Sequence, residues 1–357
     1  MLEADAEVDR RDFTVRAALT VAPGERLALF GPSGAGKTTI LEMIAGLVPP
    51  RRALILLRGR VLTSTDKPVM MVPPWRRRIG LLRQDPGLFP HLSVRANLMY
   101  GRSAGDAGVG AELAELAGVL GIDGLLGSMP ARLSGGQAHR VALGRLLLSH
   151  CDALLLDEPY AGLDASLRRT LTDLVVSLVA ERGVPSILVA HELAEAQAFA
   201  DRLAVLDRGQ MLQVGEPGEV VLAPATRRVA ELVGYTSFVL LPAAAAMASG
   251  PVAAIHPDRV AAGRHPEHGL VLSGLVTSCR PAGALWEITI STGRAQVTGR
   301  FAEPAATGRE YVLTAIDPPV FGPASEPPGD GQPGTGRAGG LGHTGDTGQT
   351  GQTGVRR

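Results

Sequence analysis

Hydrophobic positions along this chain follow two periods, and the balance between them changes near residue 220. Phe13, Val15, Ala17 and Leu19 alternate with polar or small residues, the period of a half-buried strand. Beyond a turn at Pro23-Gly24, the apolar run Leu27 to Phe30 has the length of a buried strand. A Gly-rich turn follows, and Thr38 to Leu47 takes helical spacing. Helical steps return from Ala111 to Leu126 and from Leu133 to His150, the latter opened by a Ser-Gly-Gly turn. Ala153 to Leu156 reads as a buried strand, Leu167 to Glu181 as an amphipathic helix, and Ser186 to Ala190 as another strand. Strands alternating with helices predict an α/β fold with a mainly parallel sheet.

Helical spacing fades beyond Glu231-Leu232. Strand-like runs replace it at Leu270 to Val276, Leu285 to Ile290, Arg294 to Val297 and Tyr311 to Ile316. Pro281-Ala282-Gly283 and Thr292-Gly293 supply turns between them, which predicts a small all-β domain. Past Phe321 the chain is Gly, Pro, Thr and Gln with little that is apolar, so residues 323–357 are expected to be disordered. Gly recurs at every third position from Gly342 to Gly354, but without Pro and over too short a run for a collagen helix.

Composition sharpens this picture. Lys+Arg and Asp+Glu are both 35 among 357 residues, a balance that argues against a nucleic-acid partner. Aromatics are only 4%, so Leu, Val, Ile and Ala must build the cores. The two cysteines, Cys151 and Cys279, exclude a disulfide scaffold and suit a reducing compartment. Neither has a partner at metal-ligand spacing. The opening residues are charged rather than apolar, unlike a secretory signal. The uncharged stretch Ser237 to Ile255 is Ala-rich and broken by Pro242, Gly250 and Pro251, so a membrane span is not expected. Arg serves almost everywhere as the cation, with Lys only at Lys37 and Lys67.

Lys37 falls in a motif. Gly31-Pro32-Ser33-Gly34-Ala35-Gly36-Lys37-Thr38 fits G-x-x-x-x-G-K-[ST] between a predicted strand and a predicted helix. Such glycines let backbone N–H groups wrap the phosphates of a nucleotide, at a helix end of positive partial charge. Lys37 is placed to reach β- and γ-phosphates and Thr38 to hold Mg²⁺, with Thr39 completing the cradle. The strand Ala153 to Leu156 ends in Asp157 and Glu158. Ligands sit at such strand ends in open α/β sheets. Asp157 suits a Mg²⁺ contact, and Glu158 suits a general base.

A second anion cradle lies at Leu133-Ser134-Gly135-Gly136-Gln137, just before a helix. LSGGQ, between a P-loop and an Asp-Glu strand end, resembles the signature of the ATP-binding subunits of ABC transporters. The resemblance implies a P-loop NTPase cassette with a helical subdomain, binding ATP with Mg²⁺. It also implies a homodimer in which Ser134, Gly135, Gly136 and Gln137 close over the nucleotide on the other subunit's P-loop. Gln84, in Leu82-Arg83-Gln84-Asp85, matches the glutamine that contacts Mg²⁺ and the attacking water. Ala161-Gly162-Leu163-Asp164 matches the loop that communicates across the dimer, and His191 the histidine that orients γ-phosphate and water. Glu192 stands where Asp is more usual. Ala138-His139-Arg140 stands where Gln-Arg is common. The family stacks adenine on an aromatic ahead of the P-loop, where only Phe13 is available, and the strand pattern there would bury Phe13 instead.

Further stretches resemble importer ATPases of the oxyanion group: Arg60-Val61-Leu62, Arg76 to Gly80 and Leu88 to Val94. Asn97 to Gly101, Gly121 to Leu126 and Ala142 to Arg145 look most like the molybdate importer subunit. Sulfate, iron, polyamine and sugar importers share much of this plan. Ile255-His256-Pro257-Asp258-Arg259-Val260 resembles the I-R-P-E-x-V of an appended OB-like domain. The expected organisation is a cassette over residues 1–222, with its helical subdomain near 88–150, and a β domain over 228–322. Implied partners are integral-membrane permease subunits and, indirectly, an extracytoplasmic solute-binding protein. The implied location is peripheral, on the cytoplasmic face of the membrane. Apolar Phe89, Pro90 and Leu92 either receive a permease helix or pack the helical subdomain. A soluble ABC ATPase and a P-loop kinase are the rival readings.

Overall fold

The computed structural model describes residues 1–102, 109–241 and 250–322. Strands β1 (Leu2–Asp9), β2 (Thr14–Val21) and β3 (Arg26–Phe30) lead into helix α1 (Lys37–Ala45). Next come β4 (Arg52–Leu57), β5 (Arg60–Ser64), β6 (Met70–Met71) and β7 (Ile79–Leu82). Helices α2 (Val94–Leu98), α3 (Val109–Val119) and α4 (Gly135–Leu148) follow. The chain then alternates through β8 (Ala153–Asp157), α5 (Ala165–Arg182), β9 (Ser186–Ala190) and α6 (Leu193–Phe199). It continues with β10 (Arg202–Asp207), β11 (Gln210–Gly215), α7 (Pro217–Leu222) and α8 (Arg227–Leu232).

The central sheet has the order β11-β10-β3-β9-β8-β7. Every pairing in it is parallel except β10 with β11. Its strands are apolar on both faces because both faces are covered. Leu27, Leu29, Leu155, Ile187 and Val189 face one core, shared with Ile40, Leu41, Met43 and Ile44 of α1. Ala28, Phe30, Leu154, Leu156 and Leu188 face the other, shared with α3, α4 and α5. A second sheet, of order β2-β1-β4-β5-β6, closes the α1 side. The two strands expected over residues 12–30 therefore enter different sheets: β2 pairs with β1, and β3 with β9 and β10.

One fully buried cation holds α1 to this second sheet. Arg77 is 2% exposed. Its guanidinium donates to the carbonyls of Ile44 at 2.8 Å and Val72 at 2.7 Å, and to the Thr63 hydroxyl at 2.8 Å. Ile44 lies in the last turn of α1, where carbonyls lack helical partners and a cation is favoured. Gly46 ends that helix at φ +82°, and a Cβ there would meet Arg77 Cζ at 2.4 Å.

The helix expected over residues 111–126 stops earlier. Gly121 turns left-handed at φ +60°, and Ile122 N–H donates back to Ala117 at 2.9 Å. A short 3-10 turn, Asp123–Leu125, carries the remainder. The strand β1 was not foreseen, although Leu2, Ala4, Ala6 and Val8 are all buried.

From residue 237 the regular structure of the described chain is strand, apart from one 3-10 turn at Pro266–His268. β12 (Ser237–Leu240), β13 (Val252–Ile255), β14 (Val260–Ala262) and β15 (Gly269–Ala282) come first. β16 (Leu285–Ser291), β17 (Gln296–Phe301), β18 (Glu310–Ile316) and β19 (Val320–Phe321) complete it. They form a three-stranded sheet, β12-β13-β19, and a five-stranded sheet, β14-β18-β15-β16-β17. Val276, Ile288, Ile290, Val297 and Leu313 build a core of their own. Ala254 instead joins the cassette core, with Phe238 and Phe321 packed against it. No helix among the described residues is long and apolar enough to cross a membrane. Both β12 and β13 come from the uncharged stretch 237–255, whose centre, 242–249, lies outside the described residues, as does the tail 323–357.

Candidate nucleotide site

The P-loop joins the C-terminal end of β3 to α1, with Gly36 left-handed at the helix start, φ +103°. The close approaches explain the glycines. A Cβ on Gly31 would lie 2.1 Å from the Leu206 carbonyl oxygen, and one on Gly36 would meet Val15 Cγ2 at 2.9 Å. Gly34 faces open space, the side from which a ligand can enter. Lys37 is 5% exposed, and its ammonium donates to the carbonyls of Gly31 at 2.7 Å and Pro32 at 2.9 Å. Burial pushes Lys37 below the usual lysine range, opposed by the charges of Glu158 and Asp157. The amine is thus curled under the loop that it is placed to serve. Thr39 accepts from Arg10 Nη2 at 3.1 Å, which sets the 10–13 turn beside the P-loop helix. Phe13, half-buried, lies in that turn rather than in a strand, and packs against Gly209.

The carboxylates stand where β8 ends. The Thr38 hydroxyl donates to Asp157 Oδ1 at 3.2 Å. Burial raises the Asp157 carboxyl above the usual range; the Thr38 bond and Lys37 oppose this, and Glu158 and Glu42 add to it. Glu158 has a positive φ of 53°, a conformation costly for a residue with a Cβ. Its N–H donates to Val189 at 3.3 Å, on the neighbouring strand β9. His191, just past β9, meets Glu158 Oε1 through Nε2. Gln84 is exposed just beyond β7, whose Leu82 pairs with Leu156 of β8. Parallel pairing of β3, β7, β8 and β9 therefore brings residues 31–39, 84, 157, 158 and 191 to one end of one sheet.

Residues 134–137 are placed otherwise. Ser134 caps α4 in a reciprocal box: Gln137 N–H donates to Ser134 Oγ at 3.3 Å, and Ser134 N–H to Gln137 Oε1 at 2.9 Å. Arg140 ties this turn to the end of α3 by donating to the Leu120 carbonyl at 2.6 Å. Among the described residues no hydrogen bond or ion pair joins 134–137 to the P-loop. Gly135 has open space where a Cβ would stand, and Ser134 is exposed. Asp164 likewise caps a helix, accepting from Leu167 N–H at 3.0 Å at the start of α5.

Several residues around the site had no individual role in the sequence reading. Asn97 is fully buried, and its amide bridges Phe89, Leu92 and Ser93 of the segment after Gln84. Arg145 donates to the carbonyls of Pro86 and Gly87, both at 3.1 Å, with its guanidinium over the Phe89 ring. Phe89 is half-buried, packed at 4.2 Å against the ring of Tyr100. His139 is 5% exposed, and burial pushes it below the usual histidine range. The Glu195 carboxyl is pushed up to about 7 by burial, against the pull of Arg168. Asn97 and Arg145 lie in stretches singled out by resemblance, His139 in the departure after the signature, and Phe89 among the apolar residues noted there; Glu195 carried no local signal.

The residues present fit a nucleotide with Mg²⁺. The loop offers backbone N–H groups and an ammonium to phosphates. Thr38 and Asp157 offer the oxygen ligands that a hard cation takes. Among the described residues no cluster of three or more His, Cys, Asp or Glu could hold a metal unaided. An ion at Thr38 and Asp157 would therefore have to share phosphate oxygens.

Comparison with known proteins agrees with this geometry. Residues 15–161 match the ABC transporter family. The Fe(3+) ions import ATP-binding protein FbpC of Mesorhizobium japonicum is 41% identical over 67% of this chain and 66% of its own length. FbpC of Pseudomonas fluorescens is 43% identical over 63% and 62%. The molybdenum import ATP-binding protein ModC of Mesorhizobium japonicum is 44% identical over 59% and 56%. The chain thus spans less than two thirds of the length of these curated relatives. Among solved structures, an ATP-binding subunit of an ABC transporter is 28% identical, with a TM-score of 0.54 over 66% of this chain and 95% of that one. The dimeric ATP-binding cassette MJ0796, bound to ADP and Pi, shares the fold, with a TM-score of 0.53 at 24% identity over 61% of this chain and 99% of that one. Residues 15–161 thus carry the match to the ABC transporter family, and the chain has the fold of its ATP-binding cassettes.

Proposed function

We propose that the chain is the ATP-hydrolysing subunit of an ABC importer, peripheral to the membrane on its cytoplasmic side. The observation that carries this reading is the placement of two phosphate cradles. The P-loop stands beside Asp157, Glu158 and His191, while the Ser134 helix end is exposed and unconnected to it. Such a cradle is complete only when a second copy supplies residues 134–137 over the bound nucleotide. Closure stores binding energy: ATP shifts the dimer toward the closed form by its differential affinity for that form.

Within the closed site each side chain has a task that its position allows. Lys37 leaves the Gly31 and Pro32 carbonyls for the β- and γ-phosphate oxygens, and the loop amides share that charge. Thr38 and Asp157 would hold Mg²⁺, with Gln84 at the end of β7 available to it. That ion, when bound, neutralises charge building between the β- and γ-phosphates. Glu158 takes a proton from the attacking water as the β–γ bond breaks, and His191 holds that carboxylate and the γ-phosphate in line. Phe13, beside the P-loop helix, offers the adenine an aromatic edge.

The cassette comprises residues 1–222. Residues 228–322 form the appended OB-like domain, which supports assembly rather than sensing an anion. The segment 84–93, braced by Asn97 and Arg145, receives a helix of the permease. An extracytoplasmic binding protein delivers the solute. Stretches 97–101, 121–126 and 142–145 favour molybdate as that solute; a molybdenum import protein is among the relatives, matched over less of the chain than the two FbpC proteins. Ferric iron is the second reading, favoured by the two FbpC relatives.

ATP-dependent dimerisation tests the core of the proposal. Glu158→Gln should form a stable dimer with ATP and Mg²⁺ on sizing, because closure survives while hydrolysis stalls. A Glu158→Gln dimer population indifferent to ATP overturns the nucleotide sandwich. Uptake of labelled molybdate and labelled iron, in cells carrying wild type or Lys37→Ala, decides the solute. Loss of iron uptake alone overturns the molybdate reading.

A further inference from the structure

Arg168, in the first turn of α5, touches two loops at once. Its Nη1 donates to Glu192 Oε2 at 2.7 Å, and its Nη2 to the Leu163 carbonyl at 3.5 Å. Glu192 directly follows His191, whose ring meets Glu158. Leu163 belongs to the 161–164 loop, which leads into α5 through the Asp164 cap. The third nitrogen, Nε, is buried without an acceptor. A buried donor left unmatched costs stability, so packing alone does not account for this guanidinium. The ion pair with Glu192 is an exposed one, 63% at that side chain, of the kind that adds little to stability, and the half-buried Glu195 carboxyl also faces Arg168.

We infer that Arg168 is a positioning residue, a strut that sets the His191 turn according to the position of the 161–164 loop. The inference rests on the ATPase reading above. The contacts form an unbroken run within one subunit: Leu163 carbonyl, Arg168 guanidinium, Glu192 carboxylate, His191 backbone, His191 ring and Glu158 carboxylate. Residues 161–164 are exposed apart from half-buried Leu163, so a second subunit can press on them directly. Displacement of that loop moves one end of the strut, and the His191 turn follows. Hydrolysis then waits for an engaged partner, although Arg168 touches no nucleotide.

The test compares full-length wild type with Arg168→Met, which keeps the apolar stem, and Arg168→Lys, which keeps the charge without the fork. Arg168→Met should lower kcat for ATP by about tenfold to a hundredfold with KM unchanged, the scale of a misplaced catalytic group. Arg168→Lys should recover part of the loss. Arg168→Met combined with Glu192→Gln should lose little more than either alone. In the Glu158→Gln background, Arg168→Met should still dimerise with ATP. A kcat for Arg168→Met within about twofold of wild type, well under one power of ten, overturns the strut. Equal loss of ATP-driven dimerisation also overturns it, by reducing Arg168 to a folding role. If wild type turns over no ATP, the ATPase reading fails instead, whatever Arg168 does.

Discussion

At the scale of single residues, the chemistry of the P-loop was legible because its geometry is local. A lysine that must curl back to Gly31 and Pro32 needs only the intervening glycines. Arg77, by contrast, sits in an Arg-Arg-Arg run that gives no hint of which member is buried. Arg77→Met should destabilise the fold by about 2–4 kcal/mol, because helix-end carbonyls of α1 lose their donor in a dry site. Denaturant midpoints of that variant against Arg76→Met, whose side chain is exposed, check this. Glu195 was equally silent in sequence, since burial, helped by the charges of Glu192 and Glu158, lifts its carboxyl to about 7 from 4.5 against the pull of Arg168. Between those values the folded chain holds a proton that the unfolded chain has released. This contribution to stability is therefore greatest below about 4.5 and is lost as pH rises toward 7. Glu195→Gln should flatten that part of the stability–pH curve, and thermal melts across the window would read it.

At the scale of elements, only β3, β8 and β9 of the parallel sheet and helices α1, α3, α4 and α5 were readable, because each writes its own period or apolar run into the chain. The strand β1 was not. Its residues alternate strictly, but the buried positions include Ala4 and Ala6 rather than β-branched residues, and the intervening acids read as a charged terminus. Its pairing with both β2 and β4 supplies what propensity lacks. The α4 start was readable through its Ser-Gly-Gly turn, and Ser134 does cap the helix. Ser134→Ala should cost about 1 kcal/mol of stability through that cap. Its kcat should fall by more than this loss of folded fraction explains, because in the proposed dimer the hydroxyl also serves the second nucleotide. Parallel measurements of melting and ATP turnover separate the two effects.

At the scale of the whole molecule, the head-to-tail arrangement predicts an outcome for mixed subunits. Lys37→Ala disables a P-loop, and Ser134→Arg blocks a signature end. Each alone should be inactive. Mixed in equal amounts, half the dimers pair unlike subunits, and each of these keeps one intact site of two. Turnover should recover to about a quarter of wild type. No recovery would mean that each chain completes its own site or that the two sites fire only together. From its sequence alone this chain determined the cassette fold, the glycine turn that joins β3 to α1 and a β-rich region after residue 236, because those features depend on short-range spacing and on hydrophobic period. Only the tertiary structure decided that His191 meets Glu158, that Arg168 spans two loops, and that Arg77 rather than its neighbours is buried. Such contacts join residues far apart in the chain, and which atoms meet follows from strand register and from which face of each element is dry.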